Sequence, residues 1–316
     1  MILSIFLLII GFVILIKGAD VFVDGSSSLA RNFKLSAMFI GLTIVSFGTS
    51  APELAVSFQS LIKGSGDIVL GNVIGSNILN TLLILGICTL FHSLRVKNDT
   101  VKKELPIILL LSSLLIILMN DSLFGLGPNG FSRQDGIVLI LFFTVFVYYL
   151  VSMMRNKKEE NDDTIVKFGI PKSILFVILG LIAIILGSNF VVDSASNIAK
   201  ALGVSERMIS LTIVALGTSL PELVTSITAT RKGEYDIAIG NVVGSNIFNI
   251  GLVLGLPVTL IGGIEQISFS MLDLAMLFVS ALILFLFAIK DRNIYKGEGI
   301  VMLLLFVIYY SYVIFV

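Results

Sequence analysis

Cysteine, histidine and tryptophan are almost missing from this chain: its 316 residues hold one Cys, one His and no Trp. The single Cys88 excludes a disulfide framework, and the single His92 leaves too few nitrogen and sulfur ligands for a zinc or haem centre. Charge is scarce as well, at 13% of positions, where a soluble domain carries about 25%. The 21 basic and 21 acidic residues cancel, so there is no basic footprint for nucleic acid. Apolar residues fill the space, at 56% of the chain and a mean hydropathy of +1.05. A water-soluble globule cannot hide that much apolar surface, which makes the expected class an integral membrane protein. The apolar start, residues 1–16, lacks a basic n-region and a small-residue cleavage site, and is expected to belong to the fold rather than to a removable signal.

Crossing a bilayer as a helix takes about 20 mostly apolar residues. Apolar runs separated by polar breaks give ten segments, near 2–30, 35–61, 68–92, 104–119, 134–154, 171–199, 207–230, 236–261, 269–289 and 297–315. A β-barrel would show alternating segments of about ten residues, whereas these runs are long and continuous. The expected fold is therefore all-α and polytopic, with ten transmembrane helices. Threading the chain through them puts 16 Lys and Arg on one side, among them Arg31, Arg95, Lys102, Lys232 and Lys290, and four (Lys63, Arg133, Lys200 and Arg207) on the other. The positive-inside rule makes the richer side cytoplasmic and leaves both termini outside. Tyr148, Tyr149, Tyr309, Tyr310 and Tyr312 fall near segment ends, where they could anchor at the interface. His92, beside Arg95 and Lys97, also reads as interfacial. The stretch RNKKEENDDTIVKFG at 155–169 is expected to be a short cytoplasmic linker, dividing the chain into 1–154, 155–170 and 171–316.

The two halves repeat each other. Residues 41–80 contain GLTIVSFGTSAPEL and GNVIGSNILN; residues 210–249 contain SLTIVALGTSLPEL and GNVVGSNIFN. At a constant offset of 169, 23 of these 40 positions are identical, including Gly, Pro, Asn and Glu, which shared hydrophobicity alone would not match. The offset extends upstream to Gly18 and Gly187, Asp24 and Asp193, and Ser36 and Ser205. Five helices per half is an odd number, so the halves should cross in opposite senses. Inverted repeats of this kind recur in secondary transporters, with the substrate site near the midplane.

Each GTSxPE motif lies deep in an apolar segment. Pro52 and Pro221 each remove a backbone donor and interrupt the helix one turn back, and Gly48 and Gly217 make the backbone there permissive. Freed carbonyls are expected near Thr49, Ser50, Thr218 and Ser219, which is tolerated at membrane depth only around a protein-enclosed polar cavity. Beside each break stands an acid, Glu53 or Glu222, whose burial costs roughly 2.5–3.5 kcal/mol even on a lenient insertion scale. No Lys or Arg lies in the same segments at membrane depth, so the pair calls for cations or protons. Ser76, Asn80, Ser245 and Asn249 add neutral oxygens. An all-oxygen set of this kind suits Ca²⁺ better than thiolate-seeking metals. Competing readings remain for several positions. Gly71, Gly75, Gly240 and Gly244 could serve close helix packing, and Ser76 and Ser245 simple interhelical bonding. Asp67 and Asp236 read as helix-start residues favoured by the dipole. Asp20, Asp24 and Asp193 fit either a membrane boundary or an access path.

Through GTSAPE (48–53), GTSLPE (217–222), GNVIGSNILN (71–80) and GNVVGSNIFN (240–249), the chain resembles the sodium/calcium exchanger family of the cation/calcium antiporter superfamily, in its compact prokaryotic form. The resemblance implies an antiporter, not an enzyme, without cofactor or obligate protein partner, in which Na⁺ and Ca²⁺ are substrates. It implies that Glu53 and Glu222, with Thr49 and Thr218, bind Ca²⁺. Ser50, Ser219, Ser76 and Ser245 would help bind Na⁺, with Ser46 and Ala215 nearby, and Asn80 and Asn249 would complete the centre. Asn249 stands where the potassium-dependent branch typically has Asp, which leans towards potassium independence. The family also implies that the first and sixth helices slide across the other eight. A calcium/proton antiporter using the same glutamates is the nearest alternative. A channel would not require a counter-ion. An intramembrane hydrolase based on Ser50 or Ser219 would lack a general base in reach.

Overall fold

The structure, a computed structural model, describes residues 2–124, 129–155, 167–203, 215–264 and 270–315. Most of the expected linker and the first part of the expected seventh segment (207–214) lie outside the described residues. The described chain is helical apart from loops and one two-residue ladder. Its helices are α1 (Ile2–Asn32), α2 (Ala37–Thr49), α3 (Ala51–Ile62), α4 (Gly66–Phe91), α5 (Leu105–Leu118) and α6 (Arg133–Arg155). They continue with α7 (Ile170–Ala201), α8 (Ala215–Thr218), α9 (Leu220–Arg231), α10 (Tyr235–Leu260), α11 (Met271–Asp291) and α12 (Lys296–Phe315).

Seven of these are long and apolar enough to cross a membrane, and α2 and α3, bent by 42° at their junction, make an eighth if the pair is counted as one span. Segment 104–119 is shorter than expected as an α-helix. Its α-helical part is α5 alone, and the preceding turn, Thr100–Glu104, is wound as a π-helix.

Local chemistry repeats along with the sequence. Helices α3 and α9 both stop at a Lys-Gly pair, with Gly64 at φ +72° and Gly233 at φ +78°. The amide of Ser65 donates to the Ser60 carbonyl at 2.8 Å and that of Glu234 to Ala229 at 2.9 Å, which closes a Schellman-type cap at both sites. Only glycine takes this left-handed conformation without a Cβ penalty.

Burial separates a centre from a lipid-facing belt. In their most apolar windows α10 is 94% and α4 78% buried, whereas α1, α6, α7, α11 and α12 are 22–33% buried. Helices apolar on all sides are expected either in the core or against lipid, and the chain uses both placements. Helices α1 and α7 pack antiparallel along their length through glycines at seven-residue spacing. A Cβ on Gly11, Gly18 or Gly25 would meet Phe190, Ala183 or Phe176 at 2.8–3.0 Å, and one on Gly180 would meet the Phe22 backbone at 2.6 Å. Gly240 and Gly244 likewise bring α10 against Gly41 and Ser46 of α2, so the packing reading holds for these two glycines.

The loops gather at two ends. At one end Arg31 pairs with Glu234 (2.8 Å), Lys97 with Asp236 (2.8 Å), and Lys167 and Lys232 with Asp24 (2.9 and 3.1 Å). The ladder there joins β1 (Leu94–Arg95) to β2 (Asn293–Ile294) antiparallel. At the other end Phe131 bridges Ile264, and the Arg133 guanidinium donates to the Ile261 carbonyl at 3.0 Å. Asp20 also faces Lys232, so it and Asp24 serve as ion-pair partners at the basic end of the bundle.

Two of the tyrosines read as interfacial anchors turn inward instead. Tyr149 donates to the buried Glu104 at 2.5 Å, and Tyr309, buried, donates to Asp273 at 2.9 Å. A phenol hydroxyl that finds a carboxylate acceptor gains more than one left at the surface. Tyr148 and Tyr312 are exposed, and His92 stacks on Tyr235 with ring centroids 4.7 Å apart.

Candidate cation site

Two helix breaks face each other in the middle of the bundle. Ser50 sits between α2 and α3 at φ −83°, ψ 4°, and Ser219 between α8 and α9 at φ −91°, ψ 6°. Pro52 and Pro221 each take the second position of the following helix, where a missing amide is harmless to that helix. The same proline leaves the carbonyl four residues earlier, at Gly48 or Gly217, without its helical donor. Ser188 of α7 donates to the Gly217 carbonyl at 3.0 Å.

Glu53 and Glu222 lie in the first turns of α3 and α9, exposed by 1% and 0%. Each reaches across to the other half of the chain. The Ser50 hydroxyl donates to Glu222 Oε1 at 3.0 Å, and the Ser219 hydroxyl to Glu53 Oε1 at 3.4 Å. Ser245 of α10 donates to the same Glu222 oxygen at 3.5 Å. The Ser76 hydroxyl of α4 lies 3.2 Å from the Ser219 oxygen, within hydrogen-bond distance. The second oxygen of each acid, Oε2, is buried with no hydrogen-bond partner, as are both amide atoms of Asn80 and of Asn249. A buried carboxylate oxygen without a partner is expensive, and two of them in one bundle demand compensation.

Asn80 and Asn249 each open a π-helical turn, Asn80–Ile84 in α4 and Asn249–Leu254 in α10. A π turn shifts the side-chain register locally and is frequent at functional sites. Thr49 is fully buried, and its hydroxyl donates to Asn241 Oδ1 at 3.0 Å, with the Val45 and Ser46 carbonyls also within reach. Thr218 donates to Asn72 at 3.3 Å. Ser46 is buried against Gly244 and donates to its own helix, at the Thr43 carbonyl. Ala215 starts α8. Asp193 of α7 is exposed, while Asp67 and Asp236 stand in the first turns of α4 and α10, as expected of helix-start acids.

Two residues escaped the sequence reading. Asn72 and Asn241, the first asparagines of the paired GNVxGSN motifs, donate to the Glu53 and Glu222 main-chain carbonyls at 3.2 and 3.4 Å. Their side-chain oxygens accept from Thr218 and Thr49 of the opposite half, so each asparagine ties one broken helix to the other. The repeat at offset 169 marked both, but they were hidden behind the glycines on either side.

No group of three or more His, Cys, Asp and Glu able to hold a metal occurs among the described residues. A cation here would rest on two carboxylates and on neutral amide, hydroxyl and carbonyl oxygens, the hard donors that Ca²⁺ prefers. Paired broken helices that carry buried acids inside an apolar bundle define a polytopic membrane transporter of cations.

Comparison with known proteins narrows the class. The family described as "Sodium/calcium exchanger protein" matches residues 3–152 and 172–315. The chain is 36% identical to the inner membrane protein YrbG of Escherichia coli K12, over 96% of this chain and 94% of that one. It is 32% identical to the sodium/calcium exchanger MaX1 of Methanosarcina acetivorans, over 95% of each. A solved structure of the sodium-calcium exchanger NCX_Mj, soaked with 2.5 mM Na⁺ and 0.1 mM Ca²⁺, superposes with a TM-score of 0.83 at 33% identity, covering 98% of this chain and 97% of that one. The protein belongs to the sodium/calcium exchanger family, a family of antiporters.

Proposed function

We propose that the protein exchanges Na⁺ for Ca²⁺ across the membrane by alternating access, with Glu53 and Glu222 at the centre of an all-oxygen cation site. The observation that carries this reading is the pair of buried carboxylates, each bonded to a serine of the opposite half through one oxygen and left with an unpartnered second oxygen. Two carboxylates neutralise one Ca²⁺, and Na⁺ ions in adjacent pockets can do the same. Thr49 and Thr218 offer main-chain oxygens to Ca²⁺. Ser50, Ser76, Ser219 and Ser245 flank the centre for Na⁺, with Ser46 and Ala215 nearby, and Asn80 and Asn249 complete it. An empty site leaves two uncompensated buried anions, so the carrier crosses only when loaded, and exchange becomes obligatory.

The architecture that goes with this function is ten helices in two inverted repeats, 1–154 and 171–316, joined by a cytoplasmic linker at 155–170. Both termini then lie outside. Ion pairs and the β1–β2 ladder tie Arg31, Arg95, Lys97, Lys167 and Lys232 to one end of the bundle, and this favours that orientation. Helices α1 and α7, packed on each other and apolar outside, are the elements that would move against the rest. Their glycine seam favours motion as one body.

Labelled Ca²⁺ uptake into proteoliposomes holding internal Na⁺ tests the function. Uptake that needs the Na⁺ gradient and vanishes in Glu53→Gln and Glu222→Gln is expected. Uptake driven by a pH gradient alone would assign the same site to proton coupling instead.

A further inference from the structure

A cavity of about 720 Å³ opens at the basic end of the bundle, between the start of α5 and the end of α11. Lys102, Lys290 and Arg292 line it, against one acid, Asp291. The neighbouring cations are already used: Lys97 pairs with Asp236 and Lys103 with Asp99. Lys102, Lys290 and Arg292 have no hydrogen-bond or ion-pair partner for their side chains among the described residues. The Asp291 carboxylate is turned to the loop that follows, where Oδ1 accepts from the Asn293 amide at 3.3 Å.

The rest of the wall is apolar: Val101 and Pro106 from one side, Phe285 and Ile289 from the other. Ile289 is largely exposed, and so are Leu286, one turn back on α11, and Leu110, one turn on from Pro106 on α5. Residues three and four apart share a helix face, so the apolar wall runs on into the lipid-facing surface. A cationic rim above an apolar wall that leads into the membrane fits an amphiphile with an anionic head. Clusters of Lys and Arg between transmembrane helices at the headgroup layer are the usual recognition device for such lipids.

We propose that this cavity is a binding site for an anionic phospholipid, its phosphate held by Lys102, Lys290 and Arg292 and its acyl chains lying along α5 and α11. The site is independent of the ions exchanged. It asks only that this end of the bundle meet a headgroup layer, and its failure would leave the transport reading untouched.

Native mass spectrometry of the detergent-purified full chain, titrated with phosphatidylglycerol or with phosphatidylcholine of the same acyl chains, tests it. The variant carries Lys102→Gln, Lys290→Gln and Arg292→Asn. Asn is chosen at 292 because the backbone there is left-handed, at φ 60°, which Asn tolerates. Expected are retention of phosphatidylglycerol over phosphatidylcholine, and at least tenfold weaker phosphatidylglycerol binding in the variant. Lys63→Gln, at the other end, should leave binding unchanged. If the triple variant does not fold, Lys102→Gln and Lys290→Gln singly should each weaken binding about fivefold, the effect of one basic side chain near a charged lipid surface. Equal binding of the two lipids, wild-type affinity in the variants, or displacement of the lipid by inorganic phosphate alone would overturn the proposal.

Discussion

At the residue scale, the energetic problem is a pair of acids sealed from water, with no basic partner among the described residues. Neutralising either acid removes an unpaired buried charge and also removes what holds the cation. Glu53→Gln and Glu222→Gln should therefore each unfold at an equal or higher temperature than the wild type in ion-free buffer, since an uncompensated buried charge destabilises. Both should lose the rise in melting temperature that saturating Ca²⁺ gives the wild type, a stabilisation of about 2.7 kcal/mol at a hundred times Kd. Thermal unfolding with and without Ca²⁺ checks this. Ser50→Ala removes the 3.0 Å bond to Glu222, a hydrogen bond to a charged group worth roughly 1.5–3 kcal/mol, and should weaken ion binding about ten- to a hundredfold. Protons compete with cations for the same two carboxylates, so exchange should slow as the medium is acidified. A rate that stays flat from about pH 8 to 5, the range in which competition at two carboxylates should show, would contradict that competition. Much of this site was legible in the sequence. A glutamate beside a proline within an apolar run is costly enough to signal function, and its repetition removed the ambiguity. The repeat marked Asn72 and Asn241 but not their role, because an asparagine that bonds a main-chain carbonyl of the preceding helix leaves no periodic trace.

At the element scale, a helix that must move needs a smooth seam and a helix that must break needs its breaks in register. Between α1 and α7, glycines let the backbones come into contact. Gly180→Ala would put a Cβ 2.6 Å from the Phe22 amide nitrogen, and backbone cannot step aside as a flexible side chain does. We expect a loss of about 1–3 kcal/mol, the usual range for overpacking, read as a lower melting temperature in detergent. Gly297→Ala, in the first turn of α12 with nothing within 4 Å of the new methyl, should be neutral or slightly stabilising. Helix existence and the break at Ser50 followed from apolar runs and from Pro52. The π turns at Asn80 and Asn249 did not. A π turn adds one residue to a helical turn in response to neighbouring helices, and residues 80–84 and 249–254 have no composition of their own that announces it.

At the scale of the whole molecule, the account rests on topology: two halves crossing in opposite senses, with the basic ends together. Lys63 and Lys103 are both exposed and fall at opposite ends of the bundle in this topology. With Cys88 fully buried, a cysteine introduced at either position is the reactive one. In intact cells an impermeant maleimide should label Lys63→Cys and leave Lys103→Cys unlabelled until the membrane is opened. The membrane class and the apolar helices were legible from hydropathy and from the scarcity of charge, which do not require any knowledge of packing; the direction proposed for them rests on the uneven distribution of lysine and arginine. The close pairing of α1 with α7, and the central burial of α4 and α10 against a belt of lipid-facing helices, were not. All of these segments are similarly apolar, and hydropathy alone cannot tell a helix surrounded by protein from one surrounded by lipid. The most direct measurement of the central claim is efflux of labelled Ca²⁺ from loaded proteoliposomes into three media. The account predicts fast efflux when the medium contains Na⁺ or unlabelled Ca²⁺ and almost none when it contains neither. Equal efflux into the ion-free medium would mean that the empty carrier crosses freely, and would contradict obligatory exchange through Glu53 and Glu222.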